Sequence, residues 1–158
     1  MLHLSDFGAA GQKIYEAAIL RHNTDRRKKG DFFSIWESLI DNVAKDLNNR
    51  DSINIRLISQ AGGQALNVWA KTVVSQSPAA LMNTTVDLLQ KKGHDYGYKS
   101  LTKFGHLSFI IRTSSKIERL KNLWKDKKHP KFESIFDTLM DIVGYSILYI
   151  LYLEGKIK

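Results

Sequence analysis

Apolar residues return at intervals of three and four along nearly the whole chain, and no segment sustains an alternation of apolar and polar positions. That period belongs to helices with one buried stripe, so the pattern predicts an all-α fold, a single-domain bundle of about six helices. A first helix is expected over residues 5–22. The polar run NTDRRKKG breaks it, and Asp31 stands where it can cap a second helix over FFSIWESLIDNVAKDL, which NNRDS closes. A third helix is expected over 53–76, with a kink or break at the adjacent Gly62 and Gly63, because glycine is among the poorest helix formers. Ser77-Pro78 starts a fourth: Ser can accept from orphan amides, and Pro suits the first helical position, where no N–H is needed. This helix is expected to run to Lys92 and stop at Gly93 in a left-handed conformation. GHDYGYKSLTKFG then reads as a loop, followed by a fifth helix over 106–124. The short DKKHP turn and the His129-Pro130 boundary predict an antiparallel hairpin with a sixth helix that carries FESIFDTLMDIVGYSILYILYL.

The last helix is the most apolar, but its longest unbroken run, IVGYSILYILYL over 142–153, is well short of the roughly 20 residues that a membrane span needs. It reads as a core helix. At 158 residues the chain is long enough to bury roughly 70% of its unfolded surface in one domain. The N-terminal MLHLSDFGAAGQK lacks the basic and apolar segments of an export signal, so a cytoplasmic protein with no membrane partner is expected. Cysteine is absent, which removes disulfides, thiolate metal sites and cysteine nucleophiles; any metal must sit on carboxylates or histidines. No HxxxH or HExxH spacing occurs, which argues against a zinc enzyme. A net charge of +8 favours partners that carry phosphate, through long-range attraction. The basic runs are 25–31, 91–99 and 121–131, for each of which a solvated surface is the simpler explanation. The apolar last helix also makes self-association into a homo-oligomer an expectation.

Within that apolar helix Glu133, Asp137 and Asp141 recur every fourth residue. Each step advances about 40° beyond a full turn, so the three carboxylates share an arc of roughly 80°. Such a stripe can coordinate Mg²⁺ through oxygen, leaving positions for water and a phosphate-bearing ligand. It can equally neutralise cations on a neighbouring helix. The preceding helix supplies Arg112, Lys116 and Arg119, spaced at i, i+4 and i+7 on one face. In an antiparallel hairpin, acids and bases either pair across the helices or bound one pocket for metal and phosphate. The glycine-rich loop adds Tyr96 and Tyr98 as ring faces and Lys91, Lys92, Lys99 and Lys103 as charge. A nucleobase could stack there; a helix terminus followed by an aromatic-anchored turn is the alternative. Trp36, Trp69 and Trp124 lie among apolar residues and read as packing anchors, and His94 and His106 as hydrogen-bonded loop histidines.

Four motifs stand in order: KKGHDYG, then KFG, then RTSSKIERLKNL, then ESIFDTLMDIVGY. Together they resemble the nucleotide modification associated domain 1 family of phages and bacteria, over residues 86–153; residues 1–83 carry no resemblance. By position, Lys92, His94, Asp95, Tyr96, Gly97, Arg112, Lys116, Arg119, Asn122, Glu133, Asp137, Thr138, Asp141 and Tyr145 match the family pattern. Ser115 stands where the family carries an acid, a departure that touches catalysis more than binding. The resemblance implies a nucleotide ligand. Its paired helices are similar in architecture to those of all-α nucleoside triphosphate pyrophosphatases, which hold magnesium on acidic residues and assemble as oligomers. The leading expectation is therefore a Mg²⁺-dependent nucleotide phosphoanhydride hydrolase. In it Glu133, Asp137 and Asp141 are the metal ligands, Arg112, Lys116 and Arg119 stabilise phosphate, and Tyr96 stacks on the base. The alternatives are a non-catalytic protein that sequesters a nucleotide or cyclic-nucleotide signal against host defence, and a nucleic-acid-binding module.

Overall fold

The computed structural model describes residues 4–24, 32–45, 52–72, 76–125 and 132–157. They form an all-α bundle: α1 (Leu4–Thr24), α2 (Phe32–Lys45), α3 (Ser52–Thr72), α4 (Pro78–Tyr96), α5 (Lys99–Thr102), α6 (His106–Lys125) and α7 (Phe132–Leu153). The expected Asp31 cap, the end of the second helix beyond Lys45 and the DKKHP turn lie outside the described residues. At the centre α7 lies against α1, α3, α4 and α6, while α3 also meets α1, α2 and α4. Lys116 meets Asp141 and Phe109 meets Tyr149, a reversed order that makes α6 and α7 antiparallel, as the hairpin reading expects.

The core follows the helical period. Ile14, Trp36, Leu66, Trp69, Leu120, Leu139 and Ile147 are all fully buried. Trp69 meets Phe136 edge to face at 4.9 Å, and Phe109 stacks on Tyr149 at 4.7 Å. Trp36 and Trp69 are thus core anchors, whereas Trp124 is half-buried against Phe33. The segment Ser134–Leu153 is long and apolar enough to cross a bilayer by length and composition, but 67% of it is buried inside the bundle. Its buried Thr138 and Ser146 hydroxyls donate to carbonyls of their own helix, Ser134 at 2.6 Å and Ile142 at 2.8 Å. That is how a polar side chain enters a core helix without leaving an unmet donor.

Two glycine expectations are corrected. No break occurs at Gly62 and Gly63, because α3 runs through both. A Cβ on Gly62 would lie 2.9 Å from Ser146 Cβ, and one on Gly63 only 2.7 Å from the backbone nitrogen of Ala18. These glycines let α3 close on α7 and α1, and the packing gained there outweighs their helix penalty. Gly93 does not end the fourth helix either. α4 continues to Tyr96 and stops at Gly97, whose φ of 65° is the left-handed value and whose N–H donates to Gly93 O at 3.0 Å. Gly93 is small for another reason: the Tyr98 hydroxyl occupies the space a Cβ would take. The start of α4 agrees with expectation, since Ser77 Oγ accepts from Ala80 N–H at 3.2 Å and Pro78 opens the first turn. The segment expected as a loop is compact, with α5 inside it and a turn at Lys103–Gly105, where Gly105 has φ 58°.

Candidate functional site

The C-terminal half of α4, the Gly97-Tyr98 corner, α5, α6 and the middle of α7 surround a cavity of about 270 Å³. Each wall follows from helix spacing. Asp141, Gly144, Tyr145 and Leu148 face it from α7 at i, i+3, i+4 and i+7, and Thr85, Leu88, Leu89 and Lys92 repeat that spacing on α4. Arg112 enters from α6, Met140 from α7, Ser100 from α5, and Gly97 and Tyr98 close the corner. Leu88, Leu89, Met140 and Leu148 make an apolar floor, to which Tyr98 and Tyr145 add aromatic rings.

Charge in the pocket is uneven. Lys92 and Arg112 are its exposed cations, and Asp141 is the one carboxylate among the lining residues. That carboxylate is engaged: Lys116 Nζ on α6 lies 2.7 Å from Asp141 Oδ2, with both side chains partly exposed. The pair cancels locally, so the lining keeps an excess of positive charge suited to an anion. Burial holds the Tyr98 hydroxyl above the ordinary tyrosine range, so it stays a neutral donor. Thr85, by contrast, donates to Leu81 O at 2.9 Å within its own helix.

The structure brings together Lys92, Gly97, Tyr98, Arg112, Asp141 and Tyr145 of the residues singled out in the sequence, and Lys116, also among them, joins through its ion pair. It does not bring Asp137, Arg119 or Asn122 to the cavity; all three are exposed and outside its lining. Thr138 is buried and turned to its own backbone. The side chains of Glu133, His94, Asp95 and Tyr96 lie outside the described residues. His106 does not reach the cavity: its Nδ1 shares a 2.8 Å hydrogen bond with the Tyr149 hydroxyl, the satisfied role expected for it. Sequence reasoning left Ser100, Met140 and Gly144 out of the site and offered Tyr98 only as a ring face. A readable signal was the spacing 141, 144, 145, 148 on one face of α7.

The donor set limits what metal chemistry can be assigned. Mg²⁺ takes one or two carboxylates together with waters and substrate phosphates. Among the described residues no group of three or more His, Cys, Asp or Glu converges, and Asp141 already faces an ammonium. These residues do not by themselves form a metal cage. Comparisons with protein-family models, curated proteins and solved structures found no match for this chain.

Proposed function

We propose that the cavity between α4, α5, α6 and α7 binds a nucleotide, with Lys92 and Arg112 on phosphate and Tyr98 and Tyr145 against the base. One observation carries this reading. Lys92, Arg112, Asp141 and Tyr145 belong to three motifs far apart in the chain, yet all four line one cavity of about 270 Å³. Ligand clefts run from about 300 Å³ upward, so this cavity lies at the small end and limits the ligand to a single nucleoside phosphate at most. The motif resemblance to the nucleotide modification associated domain 1 family supports the same ligand class. A guanidinium from α6, an ammonium from α4, apolar side chains and two phenol rings match the three chemical parts of such a molecule: anion, flat hydrophobic ring and hydroxyl-bearing sugar.

The test is mass spectrometry of nucleotides released on denaturing the purified protein, followed by calorimetric titration of the nucleotides found. Arg112→Ala and Lys92→Ala are each expected to weaken binding about 10- to 100-fold, the effect of losing one charge-assisted hydrogen bond of about 1.5–3 kcal/mol. Both side chains are exposed, so folding stability should move by less than about 0.5 kcal/mol. Unchanged affinity in both variants would remove this pocket as the binding site.

A second reading, Mg²⁺-dependent phosphoanhydride hydrolysis, is favoured by Asp137 standing one turn from Asp141 on α7, with its carboxylate exposed. It separates cleanly from the first. Monophosphate product that needs Mg²⁺ and disappears in Asp141→Asn and Asp137→Asn means hydrolysis, whereas intact ligand recovered after long incubation means sequestration.

A further inference from the structure

Among the described residues four large hydrophobic side chains are exposed, and three of them fall within eight positions: Phe104 at 67%, Leu107 at 49% and Ile111 at 64%. Leu107 and Ile111 are one turn apart on α6, on the side opposite its buried Phe109, Thr113 and Ile117. Phe104 stands at the apex of the preceding turn, where Lys103 N–H donates to Lys99 O and Gly105 N–H to Thr102 O, both at 3.0 Å. The three side chains thus follow one another along the chain as an exposed apolar row.

Charge narrows what can cover the row. From Gly97 to Ile117 the chain carries Lys99, Lys103, Arg112 and Lys116 and no Asp or Glu. Lys99 and Lys103 are exposed in the same stretch, with Lys103 Nζ 5.4 Å from the centre of the Phe104 ring. The first carboxylate further along α6 is Glu118, which accepts from Lys121 at 3.2 Å. A second copy of this chain would bring the same positive charges face to face, a repulsive arrangement. The cavity between α4, α5, α6 and α7 does not include Phe104, Leu107 or Ile111 in its lining. Exposed apolar side chains in a stretch whose only charges are positive match a surface that is itself anionic outside and apolar just beneath.

We propose that the Phe104–Leu107–Ile111 row seats this protein on the surface of an anionic phospholipid bilayer, the three side chains entering the headgroup boundary while Lys99 and Lys103 contact phosphate. This is peripheral docking: α7 stays in the core. It departs from the expectation that the protein has no membrane partner, and it is independent of the nucleotide reading because the test leaves Lys92, Arg112 and Asp141 unchanged.

The experiment is co-sedimentation of the full chain with vesicles of phosphatidylcholine alone and of phosphatidylcholine with an equal share of phosphatidylglycerol. Binding is expected to the anionic vesicles, weakening as salt is raised. The triple variant Phe104→Ser, Leu107→Ser, Ile111→Ser and, separately, the double variant Lys99→Glu, Lys103→Glu are each expected to lower the partition coefficient at least about tenfold. Their helical circular dichroism should match the parent, since all five side chains are exposed. Absence of binding to anionic vesicles, equal binding to neutral ones, or unchanged binding by both variants overturns the proposal. So does a dimer in sedimentation velocity that the triple variant converts to monomer, because the row would then be covered by a second copy. Binding of an acidic amphipathic peptide through the row, without vesicle binding, overturns it as well.

Discussion

The two flanks of α7 are built from the same kinds of residue and end in opposite results. Toward α3 the contact is sealed, since Gly62 meets Ser146 so closely that a Cβ would lie 2.9 Å from its side chain. Toward α4 a cavity of about 270 Å³ remains, although here α7 itself offers a glycine, Gly144. A Cβ on Gly144 would meet Leu89 Cδ2 at 3.4 Å, an ordinary van der Waals distance. A small residue closes an interface only when the opposite surface advances into the space it leaves. Opposite Gly144 stand Thr85 and Leu89, whose helix does not approach as α3 does, and the space remains open to a ligand.

The strongest way to break the sealed flank is Trp69→Ala, which removes a fully buried ring in edge contact with Phe136. A loss of about 3–5 kcal/mol in urea unfolding is expected, large enough to consume much of a small domain's stability. Next comes a matched pair of substitutions. Gly62→Ala should lose about 1–3 kcal/mol by overpacking, offset by up to about 1 kcal/mol of helix propensity, because the obstructing Ser146 Cβ is fixed to the α7 backbone and cannot turn aside. Gly144→Ala should be neutral or stabilising by up to about 1 kcal/mol, while weakening the proposed nucleotide binding through the methyl group it adds to the cavity. Equal stability changes for the two would erase the difference between the flanks.

Tyr149 sharpens the picture at the far end of α7. Burial pushes its hydroxyl above the ordinary tyrosine range, with the neighbouring Tyr152 adding to the effect. The folded state therefore keeps this proton to higher pH than the unfolded chain, which releases it near about pH 10. The sign follows: this contribution is fully present below about pH 10 and is lost as pH rises toward the folded value. Tyr149→Phe should flatten the alkaline decline in melting temperature, and at neutral pH should cost only the hydrogen bond to His106, about 0.5–1.5 kcal/mol. The smallest effect belongs to the ion pair on the cavity flank. Lys116→Met should change stability by less than about 1 kcal/mol, because both partners of the Lys116–Asp141 pair are partly solvated. A loss of several kcal/mol would instead make that pair a structural strut of the α6–α7 hairpin.

The acidic stripe shows how far the sequence could be read. Spacing put Asp137 and Asp141 on one side of a helix, and the antiparallel hairpin set Lys116 against Asp141, as one of the two uses foreseen for the stripe requires. Spacing could not tell which member of each charged row reaches the cavity. Arg112 does and Arg119 does not, because the two lie about two turns apart along α6 and the cavity spans only the earlier turn. Tyr98 was legible as an aromatic in a glycine-rich stretch, but its position depends on Gly93 leaving room for it one turn back in α4. That relation joins two residues across a helix terminus which itself lies four residues later than expected.

The residues alone therefore determined the all-helical class, the Ser77-Pro78 start of α4, the apolar identity of α7 and the candidate chemistry of its carboxylates. These depend on period, capping and side-chain type, which are local properties. The tertiary structure decided the rest: that Gly62 and Gly63 join helices instead of breaking one, that Gly97 and not Gly93 ends α4, and that Asp141 serves both an ion pair and a cavity wall. Those outcomes depend on how closely two helices approach. That distance is set by the summed packing of the whole bundle, which no local pattern carries.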